Sequence, residues 1–431
     1  MTTIQNINAR EILDSRSYPT VEVEITLSNG MKSLGSVPSG ASTGSNEATE
    51  LRDNNKKRYN GLGVTKAINN IIKIISPELI GRSIFDQKEI DFAMINLDGT
   101  KQKSHLGANA ILGVSIAVLK GAAMASNKAI YTYINELNKS RKLSLPVPML
   151  NVINGGKHAE NSNDFQEFMI IPIGFENFRE SIRAGAEVYQ EIKSVLSIKN
   201  KTTNIGDEGG YAPSLKTNEE AIELLVDAIT KAGYIPGKEI FIGLDIASNE
   251  LYKDNKYNLI SENKSLAAND LIQMYNSLVN KYPIISLEDG IYESDWENWQ
   301  NLTSSIGENV QIVGDDLYVT NTDRIKKGIQ LKASNAVLIK LNQIGTVTET
   351  IEAIKESQNA HWGTIISHRS GETEDTIIAD IAVGMNAGQI KCGAPARGER
   401  TAKYNRLLRI EEELGNKSIF LGKNIFYNFL N

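Results

Sequence analysis

Six times in the C-terminal half of this sequence, an apolar run leads straight into a residue able to do chemistry. FIGLD ends at Asp245, IISLED reaches Glu288, QIVGDD reaches Asp315, AVLIK ends at Lys340, TIISHR ends at His368 and Arg369, and GQIK ends at Lys391. Gathered in one pocket, these would be three carboxylates, two lysines, an arginine and a histidine. Buried carboxylates repel one another and resist ionisation unless a cation compensates. Oxygen ligands favour a hard divalent ion such as magnesium or manganese. Asp289 and Asp316 are alternatives at single positions. Lys340 has apolar residues on both sides, so desolvation and nearby cations are expected to lower its pKa and let it act as a base. Such an amine could remove a proton from carbon next to a carboxylate, while a metal takes the charge developing on the carboxylate oxygens. Arg369 offers a planar fork to phosphate or carboxylate, with Ser370 beside it.

The elements that must position these residues follow from their spacing. The marks lie between 23 and 43 residues apart. About 25 residues accommodate one buried strand, one crossover helix and two short loops. Short continuous apolar runs read as parallel strands covered on both faces. Closed into a barrel, such strands bring their C-terminal ends to one face, where active sites sit. The expected fold class is therefore α/β, one large barrel of such units with a smaller domain before it. That first domain is expected to hold an antiparallel hairpin, since Val21, Val23, Ile25 and Leu27 alternate with polar residues ahead of Asn29-Gly30. Residues 62–76 and 107–126 read as helices, the second apolar nearly all round. The polar, then proline-bearing segment 136–148 marks the domain boundary. This gives an N-terminal domain over 1–135 and a barrel over 140–431.

Four further stretches carry polar groups without a preceding apolar run. VPSGASTG (37–44) is small and hydroxyl-rich, either a solvent loop or a mobile lid bringing Ser42 to a ligand. NGGKHAE (154–160) is a turn able to present Lys157 or His158. DFQEF contains Gln166 and Glu167, and GDEGGYAP contains Glu208, either a turn residue or an acid able to protonate a leaving hydroxyl.

Composition narrows the classes. The net charge of −6 argues against nucleic acid as a primary partner. One cysteine, Cys392, excludes an intrachain disulfide, and four histidines leave little for zinc or copper. No secretory signal is expected from MTTIQNINAREILDSRS. Ala108 to Ala125 is interrupted by Lys120 and is expected to be a buried helix rather than a membrane span.

Taken together, ILDSR, VPSGASTG, LGANAILGVS, NVINGGKHAEN, DFQEFMIIP, GDEGGYAP, VGDDLYVTN, LIKLNQIGTVTET, SHRSGETEDT and GAPARGERTAKYNRLLRIEEEL give the chain a close resemblance to enolase (phosphopyruvate hydratase) over essentially its full length. The resemblance implies a small α+β N-terminal domain and a modified eightfold α/β (TIM-like) barrel with an antiparallel start. It implies reversible dehydration of 2-phospho-D-glycerate to phosphoenolpyruvate, in glycolysis and gluconeogenesis. It implies two Mg²⁺ per active site, the first held by Asp245, Glu288 and Asp315, the second helped by Ser42 in the lid. Lys340 would be the base at C2, and Glu208, supported by Glu167, the acid at C3. His158 and Gln166 would line the closed pocket. Arg369 and Ser370 would hold the phosphate with His368 beside them, and Lys391 the substrate carboxylate. A cytoplasmic homodimer, or an octamer of dimers, is the implied state, with a cell-surface or secreted pool as a side role. A phosphorylated hydroxy acid would be the small-molecule partner. Four segments depart from the family pattern: DSRSYPT for DSRGNPT, GSNEA (with Asn46) after the lid, LDIASNELY with Asn249, and EDGIYESDW with Tyr292, the last two beside the metal strands. The rival readings are an acid-sugar dehydratase of the same superfamily, and a binding protein that keeps the fold.

Overall fold

The computed structural model describes residues 2–40, 44–139, 142–159 and 162–430. It opens on three antiparallel strands, β1 (Ile4–Leu13), β2 (Pro19–Leu27) and β3 (Lys32–Ser36). The period-two pattern of β2 acts as expected: Val21, Val23, Ile25 and Leu27 are all fully buried. Gly30 completes the β2–β3 turn at φ +85°, and β1 is a strand that the hydrophobic pattern did not predict.

Against this sheet lies the helix Ala108–Ala125. It alone among the described residues is long and apolar enough to cross a membrane, and 83% of it is buried inside the protein. The close approach depends on glycine. A Cβ on Gly35 would sit 2.5 Å from the Gly113 carbonyl oxygen. The helical region expected at 62–76 is broken: Thr65–Asn70 is α-helical, Ile71–Ile75 is a π turn, and a last turn runs to Leu79.

The second part is a closed barrel of eight strands. These are β4 (Val147–Asn154), β5 (Glu167–Pro172), β6 (Ile240–Asp245), β10 (Ile284–Glu288), β11 (Gln311–Gly314), β12 (Ala336–Ile339), β13 (Gly363–Ser367) and β14 (Gly388–Lys391). A small sheet, β7 (Tyr252–Lys253), β8 (Lys256–Leu259) and β9 (Lys264–Leu266), is inserted after β6. Neighbouring barrel strands are parallel except that β5 runs antiparallel to both β4 and β6. Crossover helices begin on side-chain caps at Asn177, Thr217, Asp295, Asn321 and Thr346, each accepting a hydrogen bond from a first-turn N–H. Val147, Met149, Met169, Ile171, Ile285, Val313, Leu338 and Ile365 fill the barrel interior, with Phe426 joining them. Each such side chain contributes roughly 1.5–3 kcal/mol by burial. The strands are thus held rigidly, and so are their ends.

Candidate active site

Strand register brings the chemistry to one rim. Asp245 pairs with Glu288 across β6 and β10, and with Glu167 across β6 and β5. Because β5 is reversed, its first residue reaches the rim where the parallel strands finish. Asp315 and Lys340 follow directly on β11 and β12, His368 and Arg369 follow β13, and Lys391 ends β14. His158, Gln166, Glu208 and Ser370 complete the lining of the same cleft. All the expected site residues are therefore together except Ser42, which lies outside the described residues. Lys157 is turned away, paired with Glu250 on the surface.

Two ammonium groups are threaded among the acids. Lys391 Nζ lies 3.0 Å from Asp245 Oδ2, 3.0 Å from Glu288 Oε1 and 3.1 Å from Glu167 Oε2. Burial opposes its charge, but Asp245, Glu167 and Glu288 hold its pKa well above the usual lysine value. Lys340 Nζ is paired with Asp315. Its pKa moves opposite to the sequence expectation. Burial does disfavour the ammonium, yet the Asp315 carboxylate outweighs it and raises the pKa. The apolar neighbours were legible; the carboxylate against the amine was not.

The acids remain in excess. Burial, then Asp245, pushes the Glu288 carboxyl well up. Asp289 is pushed well up by burial and by Asp316, and Asp316 rises to about 7 by burial and Asp315. Burial of Asp315 is offset by Lys340, which leaves its pKa lowered. Asp289 also fixes the backbone, since its two oxygens accept the N–H of Asp315 at 2.8 Å and of Asp316 at 2.9 Å. Asp289, Asp315 and Asp316 bring one oxygen each within 4.8 Å of one another, a group able to hold a metal ion. The expected trio of Asp245, Glu288 and Asp315 is instead bridged by lysines in this arrangement. The donor set is all oxygen, and its mutual repulsion is what a hard divalent cation relieves. These residues fit Mg²⁺.

Across the cleft is a second acidic group, His158, Glu167 and Glu208, also within 4.8 Å. Glu208 sits in the turn before Gly209 (φ +86°); a Cβ on the next residue, Gly210, would meet Asn154 Oδ1 at 2.3 Å. Asn151 Nδ2 donates to Glu208 Oε2 at 3.0 Å. His158 Nδ1 lies 3.8 Å from Glu167 and 4.0 Å from Glu208. Burial raises Glu167 well above the usual range, and the charge of Glu208 adds to it. Burial of Glu208 is more than offset by His368 and His158, which leaves its pKa lowered. Among the described residues, His158 Nδ1 and Gln166 Oε1 are buried without a hydrogen-bond partner, polar atoms suited to a ligand. On the third side, Arg369 is held by Glu47 at 3.0 Å and by Asn342 Oδ1 at 3.0 Å.

Residues 142–429 match the family model "Enolase, C-terminal TIM barrel domain", and residues 4–134 match "Enolase, N-terminal domain". The chain belongs to the enolase family. As an enolase it carries local departures that the structure accounts for. Asn249 Nδ2 donates to Asp316 Oδ2 at 2.8 Å, and its Oδ1 accepts from the Glu293 N–H at 2.8 Å, so it ties the acidic rim to the loop after β10. Tyr292 stacks on Tyr252, centroids 4.4 Å apart. Tyr18 lies beneath the Arg16 guanidinium at 5.5 Å. Asn46 donates to Ser45 Oγ at 3.1 Å.

Several enolase residues at the cleft carry no signal in the hydrophobic pattern. Asn151 lies inside β4, Glu47 in a loop, Asn342 in the short helix Leu341–Ile344, and Arg400 on the helix Gly398–Leu414. Glu47 and Arg400 follow no apolar run, and Asn151, which follows VPML, sits inside its strand rather than at the strand end. The only signal available for Arg400 was its place in the family-like segment GAPARGER, whereas Glu47 lies in GSNEA, which departs from the family pattern.

Proposed function

We propose that this enolase catalyses the reversible dehydration of 2-phospho-D-glycerate to phosphoenolpyruvate. The observation that carries the reading is the placement of Lys340 and the Glu208–Glu167 pair on opposite sides of one buried acidic cleft. A β-elimination needs a base and an acid so separated, one at C2 and one at C3.

Lys340 takes the C2 proton as a free amine, so its ion pair with Asp315 must loosen first. Glu208 gives a proton to the departing C3 hydroxyl, and Glu167 is the neighbour from which that proton is resupplied. Arg369 and Ser370 bind the phosphate; for Arg369 this means exchanging Glu47 for substrate oxygens. Lys391 binds the substrate carboxylate, His368 stands beside the phosphate residues, and His158 and Gln166 close over the substrate and exclude water. Asp245, Glu288 and Asp315 would hold one Mg²⁺, and Ser42 would help hold a second. Bound there, the metal supplies positive charge to the carboxylate oxygens as negative charge builds on them. A homodimer, or an octamer of dimers, in the cytoplasm goes with the same reading, as does a cell-surface or secreted side pool.

The test is direct. Purified chain given 2-phosphoglycerate and Mg²⁺ should generate the ultraviolet absorbance of phosphoenolpyruvate, and chelation should abolish it. A chain inert with abundant Mg²⁺ would end this reading.

A further inference from the structure

Arg400 is fully buried, yet it has no place in the chemistry above. Its Nη1 lies 2.6 Å from His368 Nδ1 and donates to the Arg369 carbonyl at 2.6 Å. Its Nη2 donates to the carbonyls of Ser370 at 2.7 Å and Asp207 at 3.1 Å. A guanidinium has only donors and does not lose its proton in a protein. The short contact to His368 therefore fixes Nδ1 as the acceptor. A neutral imidazole must then carry its hydrogen on Nε2. That nitrogen faces Glu208 Oε2 at 3.4 Å, the oxygen that already accepts from Asn151 Nδ2 at 3.0 Å. Among the described residues, no hydrogen bond reaches Oε1.

We propose that Arg400 is a positioning residue that locks His368 as the Nε2–H tautomer, so that Glu208 keeps Oε2 as an acceptor and carries its transferable proton on Oε1. The imidazole and the Asn151 amide occupy one oxygen and leave the other to face the substrate. Burial keeps His368 neutral as well, its pKa pushed down to about 4. The step at Glu208 then balances. The Oε1–H bond breaks, the proton joins the C3 hydroxyl, and the C3–O bonding pair leaves with the oxygen as water. The pair left at C2 becomes the new C2–C3 π bond, and Glu208 ends as a carboxylate with both donors still on Oε2. The part played in elimination rests on the phosphoglycerate reading; the tautomer does not.

Long-range proton–nitrogen NMR on the full chain, labelled with ¹⁵N-imidazole histidine, reads the tautomer. The chain has four histidines, and His368→Gln identifies the signal by its loss. The expected spectrum at neutral pH shows a protonated Nε2 and a bare Nδ1 for His368. A proton on Nδ1, or an imidazolium, overturns the proposal. Arg400→Gln offers an amide that can face either way, so the single tautomer should be lost, whereas Arg400→Lys keeps a donor-only group and should retain it. Elimination should fall about ten- to a hundredfold in Arg400→Gln, with KM and C2 proton exchange near the parent values and partial recovery in Arg400→Lys. Exchange and elimination falling together with the tautomer unchanged would overturn the positioning role. If Arg400→Gln does not fold, the parent spectrum and the lysine variant still decide. Parent enzyme inert toward phosphoglycerate, but with the Nε2–H signal present, would remove the functional reading alone.

Discussion

On the proposed reaction, Lys340 and Glu208 would act at different atoms of the substrate, so their loss should separate two observables. Lys340→Ala should abolish exchange of the C2 proton with solvent deuterium, and elimination with it, by a factor of about 10² or more. Unchanged exchange would remove Lys340 as the base. Glu208→Gln should keep measurable exchange while elimination collapses by a similar factor; both activities falling to background would break the division of labour. The acidic rim makes a separate prediction for the metal-free protein. Asp316 sits at about 7 in the fold, against about 3.9 for an unperturbed aspartate. Between those values the native state binds more protons than the unfolded chain, so stability falls as pH rises across that window. Glu288 and Asp289 shift in the same direction. Urea midpoints in chelator should therefore drop from about pH 5 to about pH 7 more steeply than in saturating Mg²⁺. Parallel pH profiles with and without metal would show that these carboxylates do not meet the ion.

At the scale of elements, strand ends were legible because a parallel barrel strand is buried on both faces and must stop being apolar where it reaches the rim. That is how Asp245, Glu288, Asp315, Lys340, His368 and Lys391 stood out. Glu167 did not fit the pattern, since β5 is reversed and offers its first residue rather than its last. Glu208, Asn151 and Arg400 are placed by a turn, a strand interior and a helix, and no periodicity marks them. The direction of the Lys340 shift depends on a partner distant in sequence, which hydrophobic pattern cannot give. The β1–β2 connection shows the reverse case, a local departure with a local consequence. Ser17 stands where the family pattern has glycine, and it holds φ +63°. A side chain in that left-handed region costs roughly 1–2 kcal/mol, part of which glycine would lose again through its freer unfolded chain. Ser17→Gly should thus raise stability by up to about 1 kcal/mol in urea unfolding. A loss of stability would mean that contacts of Ser17 outweigh its backbone strain.

Across the whole molecule, the two parts are joined by polar contacts next to the catalytic rim. The helix Val347–Asn359 begins seven residues after Lys340, and its first free N–H groups are satisfied from the N-terminal part. Val347 N–H donates to Ser115 Oγ at 2.9 Å, and Thr348 donates to Asp91 Oδ2 from its N–H at 3.0 Å and its hydroxyl at 2.6 Å. Asp91 is fully buried on the helix Gln87–Asp98. A helix N-terminus left without acceptors in a buried seam forfeits the bond and the hydration together. Asp91→Ala should therefore cost about 1–3 kcal/mol in equilibrium unfolding. Asp91→Asn, which keeps one acceptor oxygen, should cost less. The variant contacts no residue of the cleft, so the folded fraction should retain its kcat. If Asp91→Ala were neutral in stability, the helix would be drawing its caps from elsewhere. If kcat fell while stability held, this seam would be setting the position of Lys340 rather than only binding the two parts together.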